Sequence, residues 1–190
     1  MIRVAASLST FVIVMLAGCG GDSPQPVAES QVAAAAPDTS VPAVEMLAAD
    51  VRGVNGLTGV VVLVAGEGKL LLGGALDNVA PGDHAIHVHE TGDCSADDFT
   101  SAGPHFAPEK RPHGGPAAPI AQRHAGDFGN FTASGFGQGK FGIVKTSDRA
   151  LGEFIGRAVI VHANPDDLTT QPTGAAGPRI ACGVLEPAPY

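Results

Sequence analysis

The chain has 190 residues and sets 11 lysines and arginines against 19 acids, a formal charge of −8. That balance excludes nucleic acid as a partner held by a basic surface, and the length suits one domain with an extension rather than two domains. With 26 glycines, 15 prolines, no tryptophan and one tyrosine, the composition favours short strands and turns over long helices.

Residues 1–18 hold a single basic residue, Arg3, before an apolar run from about Val4 to Leu16, which suits a secretory signal better than a membrane span. The run ends Leu16-Ala17-Gly18-Cys19. This tetrapeptide resembles a bacterial lipobox, and the resemblance implies cleavage before Cys19, diacylation of its thiol, acylation of the new amino terminus and so a membrane anchor. An ordinary signal peptide with a chance cysteine is the alternative. Gly20 after that cysteine resembles outer-membrane sorting, so the expected location is extracytoplasmic, in the periplasm, on the outer membrane. Loss of residues 1–18 leaves ten basic against nineteen acidic residues, −9. Residues 19–44, rich in Ala, Pro and Ser, read as a flexible tether, and 45–190 as the folded domain.

Downstream, short apolar runs alternate with turn signals. Strands are predicted at 51–52, 57–64, 69–76, 84–90, 127–134, 136–144, 155–162 and 179–185, with Gly66-Glu67-Gly68 marking a hairpin. Eight such segments predict an all-β, eight-stranded antiparallel sandwich or flattened barrel. Two long irregular segments, 91–126 and 163–178, interrupt it, and loops of that length in a compact domain are usually functional.

Six of the seven histidines fall between residues 84 and 127; the seventh is His162. In a strand, i and i+2 share a face, so His87 and His89 present two imidazoles together while His84 points the other way, as a core or supporting histidine. Two imidazoles are half a copper or zinc site. His105, His113, His124 and Asp127 lie in a Gly- and Pro-rich segment with no packing reason to hold three histidines, and they make a closed zinc set. His162, at the end of an apolar run, and one histidine shared with the zinc set are the natural suppliers of the remaining copper ligands.

The ordered segments HVHE (87–90), GDCSADDFTSAGPHF (92–106), HGGP (113–116), HAGDFGN (124–130), VIVHANPDDL (159–168) and GAAGPRIACGV (174–184) resemble copper-zinc superoxide dismutases over roughly residues 45–186. The resemblance implies a Greek-key barrel with one copper and one zinc per subunit. Copper would be held by His87, His89, His105 and His162, zinc by His105, His113, His124 and Asp127, with His105 as a bridging imidazolate that carries a proton during turnover. It also implies an acid that orients one ring of each site, matched by Asp166 in preference to Asp167, and an anion-binding arginine, Arg179. Of three cysteines, Cys19 is taken by the lipobox; a Cys94–Cys182 disulfide is what the resemblance implies for the others, while two free thiols as extra copper ligands is the alternative.

The implied reaction is dismutation of superoxide to oxygen and hydrogen peroxide, protecting the cell envelope. A non-catalytic copper-buffering lipoprotein is the competing reading, and a dinuclear zinc hydrolase a weaker third, because HVHE lacks the Asp-His that follows in that pattern. The loop 163–178 is shorter than in the eukaryotic enzymes and lacks their charged steering residues, which leaves Lys140, Lys145 or Arg149 as candidate sources of a local positive field or as solvated surface groups. Monomer and homodimer are both compatible with the sequence.

Overall fold

A computed structural model describes residues 46–188; the signal segment, Cys19 and the tether lie outside the described residues. The chain forms β1 (Met46–Gly53), β2 (Thr58–Gly66), β3 (Lys69–Asp77), β4 (Gly82–His89), β5 (Asp127–Ala133), β6 (Gln138–Thr146), β7 (Ala158–His162), β8 (Arg179–Val184) and a two-residue β9 (Glu186–Pro187). All pairings are antiparallel, in the order β2-β3-β6-β5-β4-β7-β8-β1, and β1 pairs again with β2, which closes the barrel. β3 pairs with β6 and β4 with β7 although neither pair is consecutive, so the links from β3 to β4 and from β6 to β7 are Greek-key crossings. Two seams are thin: β5 meets β6 through Ala133 and Gly139 alone, and β1 meets β8 through Arg52–Cys182 and Gly53–Ala181. The barrel is therefore flattened into two four-stranded sheets, β1-β2-β3-β6 and β5-β4-β7-β8.

Alternation builds the core. Leu47, Ala49 and Val51 on β1, Val61 and Leu63 on β2, and Leu70 and Leu72 on β3 face Ile86, Val88, Phe128 and Val159 of the other sheet, all buried in one apolar cluster. The second sheet is covered on both faces. Its outer side carries loop 90–126 and a small cluster of Ala102, Ala158, Ile160 and Cys182, so β7 is buried at all five positions and reads as a continuous apolar run.

Three differences from the predicted elements have local causes. The first strand begins at Met46, because an alternation of small and charged residues, Ala-Ala-Asp, hides the inward Leu47, Ala49 and Val51. The strand predicted from 155 begins at Ala158: Leu151–Phe154 forms a 3-10 turn that buries Leu151 and Phe154 while leaving Ile155 exposed, and Gly156 adopts positive φ. The strand predicted from 136 begins at Gln138, after a turn through Gly137, also at positive φ.

Candidate metal centre

The long loop is pinned to β4 by backbone before any side chain acts. Phe106 N donates to Val88 O, Gly126 N to Phe106 O, and Val88 N to Gly126 O, each at 2.8 Å. Phe106 itself is buried, edge-on to Phe154 at 5.3 Å, with the Arg157 guanidinium 3.6 Å over its ring. This anchor sets His105 beside His89, with which it forms an isolated antiparallel bridge. Gly126 is required here, since an added Cβ would run into the Val88 carbonyl and lie 3.0 Å from Phe106 N.

On β4 the alternation separates the histidines. His87 and His89 lie on the outer face; His84 lies on the core face beside Phe131, its ring nitrogens 2.9 Å from the His162 carbonyl and 2.8 Å from that of Ala80. The ligand atoms of His87, His89, His105 and His162 lie within 4.8 Å of one another, and so do those of His105, His113, His124 and Asp127. His105 belongs to both groups.

Hydrogen bonds fix which ring nitrogen faces each cluster. His87 Nε2 donates to Asp166 Oδ2 at 2.9 Å, His113 Nε2 to Asp166 Oδ1 at 2.9 Å, His89 Nδ1 to Gly103 O at 2.8 Å, and His162 Nδ1 to Gly177 O at 3.2 Å. Carboxylates and carbonyls only accept, so the other nitrogen of each neutral ring is a bare lone pair. Those nitrogens, His87 Nδ1, His89 Nε2, His113 Nδ1 and His162 Nε2, together with His105 Nε2, are the buried polar side-chain atoms without a hydrogen-bond partner among the described residues. Five ring nitrogens without partners converging in a buried pocket, those of the neutral rings as bare lone pairs, are costly unless a cation satisfies them.

Asp127 divides its oxygens. Oδ2 accepts from the backbone N–H of Gly114 at 3.0 Å and of His124 at 2.8 Å, while Oδ1 lies 2.9, 3.1 and 3.2 Å from Nδ1 of His105, His113 and His124. The His113 approach lacks hydrogen-bond geometry. Separations of this size are close to the ligand–ligand edge of a zinc tetrahedron, about 3.3 Å for bonds of about 2.0 Å. The residues fit a four-nitrogen copper site and a three-nitrogen, one-oxygen zinc site.

Support reaches the ligands from residues that the sequence did not single out. Asn130 and Asp166 exchange two hydrogen bonds, and Gln171 brackets the backbone of His113 on both sides. Gly174 has positive φ, and an added Cβ would sit 2.6 Å from Asp166 Cγ and 2.7 Å from His113 Nε2. Asp167 turns away and caps Thr169 and Thr170. Arg179, half-buried at the start of β8, donates to Phe99 O at 2.6 Å and Gly103 O at 2.7 Å, so Gly103 O receives both the His89 ring and the guanidinium. Cys94 and Cys182 form a disulfide across 88 residues that fastens this loop to β8.

None of the candidate steering residues lines the groove beside the clusters. Lys145 is buried, donating to the carbonyls of Ala125 and Asp127 over the Phe128 ring. Arg149 is held by Asp148, Glu109 and Glu153, and Lys140 sits on the opposite sheet. A groove of about 430 Å³ that reaches His105 and His124 is lined instead by Lys110 and Arg111, together with Thr173.

Burial above all holds these imidazoles in the neutral form: His89 falls to about 2, His162 to about 3, His105 to about 4 despite its bond to Asp127, and His87 is also lowered despite its bond to Asp166. His113 is pulled down by burial but raised overall, to about 9, by Asp127 and Asp166. Below pH 6.5 the unfolded chain takes up protons that the lowered rings refuse, so stability of the metal-free protein falls as pH falls from about 6.5 towards 3. His113 is protonated in both states in that window and offsets nothing. Thermal midpoints of metal-free protein between pH 7.5 and 4.5 check this, and a flat profile contradicts it.

A closed antiparallel barrel with two adjoining clusters of imidazole donors, joined through one histidine, defines a dinuclear metalloprotein. Residues 57–185 match the family described as Copper/zinc superoxide dismutase (SODC). The chain belongs to that family: it is an oxidoreductase acting on superoxide, and its cofactors are copper and zinc.

Proposed function

We propose that this superoxide dismutase works in the cell envelope, anchored by acyl chains on Cys19. In this reading copper is held by His87, His89, His105 and His162, zinc by His105, His113, His124 and Asp127, and superoxide is bound by Arg179. The observation that carries the ligand assignment is His105, whose Nδ1 faces Asp127 while its Nε2 is a buried orphan in the other cluster. A storage site needs no ring shared in this way.

Two superoxide ions and two protons yield one oxygen and one hydrogen peroxide. Copper supplies the one-electron couple and zinc, which has none, supplies charge and shape. The chain's own residues do the rest. Arg179, tied down by two carbonyls, presents a fixed positive charge and its remaining N–H donors to a small anion. His105 Nε2 is the one ring atom of the shared ligand that can take up and return a proton. Asp166 accepts from Nε2 of both His87 and His113 and so fixes the orientation of both rings.

Arg179→Ala is expected to lower kcat/KM roughly 10- to 100-fold, the value of a charge-assisted contact, with metal content unchanged; an unaffected rate removes Arg179 from the reading. Labelled palmitate should enter the wild-type chain in bacteria and not Cys19→Ser, and equal labelling overturns the anchor. Lys110 makes no ion pair among the described residues, so it is the groove's free cation. Lys110→Glu is expected to slow the reaction about two- to fivefold at low ionic strength, with the difference vanishing in high salt.

A further inference from the structure

The thin seam between β5 and β6 opens towards the zinc cluster. The two strands share one ladder pair, Ala133 with Gly139. Continued from that pair, an antiparallel register sets Phe131 opposite Phe141 and Asp127 opposite Lys145, and along this stretch side chains stand in for the ladder. The Phe131 and Phe141 rings meet with their centroids 4.8 Å apart. At the open end Lys145 Nζ donates to Asp127 O at 2.8 Å and to Ala125 O, with the Phe128 ring centroid 3.9 Å away. Asp127 is the first residue of β5, so the side chain of Lys145 ties to β6 the end of the strand that carries the carboxylate.

A second side chain reaches back the other way. Arg123, which precedes His124, donates from Nη2 to Thr146 O and, at 3.1 Å, to Thr146 Oγ1, and from Nε to Ala118 O at 3.0 Å. Thr146 follows Lys145, so the two segments exchange donors: β6 holds the carbonyls of 125 and 127, and residue 123 holds that of 146. Arg123 is 2% and Lys145 3% exposed, and such residues are seldom buried unless their donors are used inside. An apolar side chain could fill the corner without the cost of desolvating a polar head. The donors fix the turn 124–127. Its other carbonyls are taken as well, Gly126 O by Val88 N at 2.8 Å and His124 O by Asp127 N at 3.4 Å, so Lys145 completes the set and leaves no carbonyl of the turn free. The turn so held brings His124 Nδ1 to 3.2 Å from Asp127 Oδ1.

We propose that Lys145 and Arg123 are positioning residues for zinc, latching the His124–Asp127 turn to β6 so that the imidazole and the carboxylate are in place before the metal arrives. The inference rests on the zinc set His105, His113, His124 and Asp127 given above. Both residues act through the turn and not on the metal, since their donors end on backbone carbonyls and on Thr146. A ligand pair held in advance loses less freedom on binding, and partners that orient ligands carry a large share of metal affinity.

Competition for zinc between the metal-free full chain and a chromogenic chelator tests this, with the visible spectrum of bound Co(II) reporting ligand geometry. Lys145→Met keeps the length of the side chain and removes its donors; it is expected to weaken zinc binding about 10- to 100-fold and to shift the Co(II) bands. Leu63→Ala controls for stability alone: Leu63 is buried in the core on β2, two strands from β6, so its loss lowers the melting temperature and is expected to leave zinc affinity unchanged. Arg123→Lys keeps the charge and loses the fork. It is expected to weaken zinc about tenfold, and it decides the matter if Lys145→Met does not fold. Wild-type zinc affinity in Lys145→Met or in Arg123→Lys, or an equal loss of affinity in Leu63→Ala, overturns the proposal. His113→Ala separates this failure from a failure of the ligand assignment. Weakened zinc in His113→Ala beside wild-type affinity in Lys145→Met overturns the latch alone, whereas wild-type affinity in His113→Ala overturns the zinc set and the latch with it.

Discussion

Asp166→Ala is expected to lower zinc affinity about 10- to 100-fold and to cost catalysis even when copper and zinc are supplied in excess. One carboxylate receives an imidazole N–H from each metal cluster, at 2.9 Å in both cases, and it is itself fixed by Leu168 N at 2.6 Å on Oδ1 and by the Asn130 exchange on its backbone. Without it, His87 and His113 lose the partner that decides which nitrogen is bare, and each ring must be re-ordered when metal binds. Asp166→Asn keeps the shape but offers one amide donor where both rings need an acceptor, so it is expected to rescue only in part. Gly174→Ala should resemble Asp166→Ala, because a Cβ at a residue with positive φ must displace Asp166 or His113. Competition with a chromogenic chelator reads zinc affinity directly. Wild-type affinity in Asp166→Ala would show that the two clusters are not coupled through this residue.

Removing the disulfide is expected to cost about 4–5 kcal/mol in the chain-entropy model, because the bond closes a loop of 88 residues. For a domain of this size that corresponds to a fall of roughly 10–18 °C in melting temperature. The loss should extend to function. Cys182 is buried on β8, packed with Ala102, Ala158 and Ile160 and flanked by Cys94 and Phe99, and the loop it holds supplies Phe99 O and Gly103 O to Arg179. A paired Cys94→Ser, Cys182→Ser variant should therefore show both a lower melting temperature and a larger fall in kcat/KM than in metal content. Equal melting with and without a reductant able to open the bond would contradict the first expectation. Full activity in the metal-loaded variant would contradict the second.

Much of this was legible from residue spacing because the relevant distances are local. The i, i+2 rule separates His87 and His89 from His84 on one strand, and the Gly- and Pro-rich segment concentrates His105, His113 and His124 where no core pattern needs them. The same rule applies along β6, where alternation puts Lys145 on the side of Phe141 and Ile143 and its ammonium reaches the loop carbonyls instead of water. Other residues had no local signal. Gly174, Gln171 and Asn130 matter only because the fold brings them to Asp166 and His113, 36 to 58 positions away for the two side chains, and nothing in their own neighbourhoods reports that.

The most direct test of the account is the decay of superoxide, generated by pulse radiolysis, in the presence of the protein loaded with one copper and one zinc, compared with His162→Ala under the same loading. Rapid catalytic decay that continues through many turnovers is expected in the wild type and is lost in His162→Ala while the zinc cluster, which lacks this residue, stays occupied. Decay at the uncatalysed rate in fully loaded wild-type protein, or undiminished catalysis in His162→Ala, would contradict it.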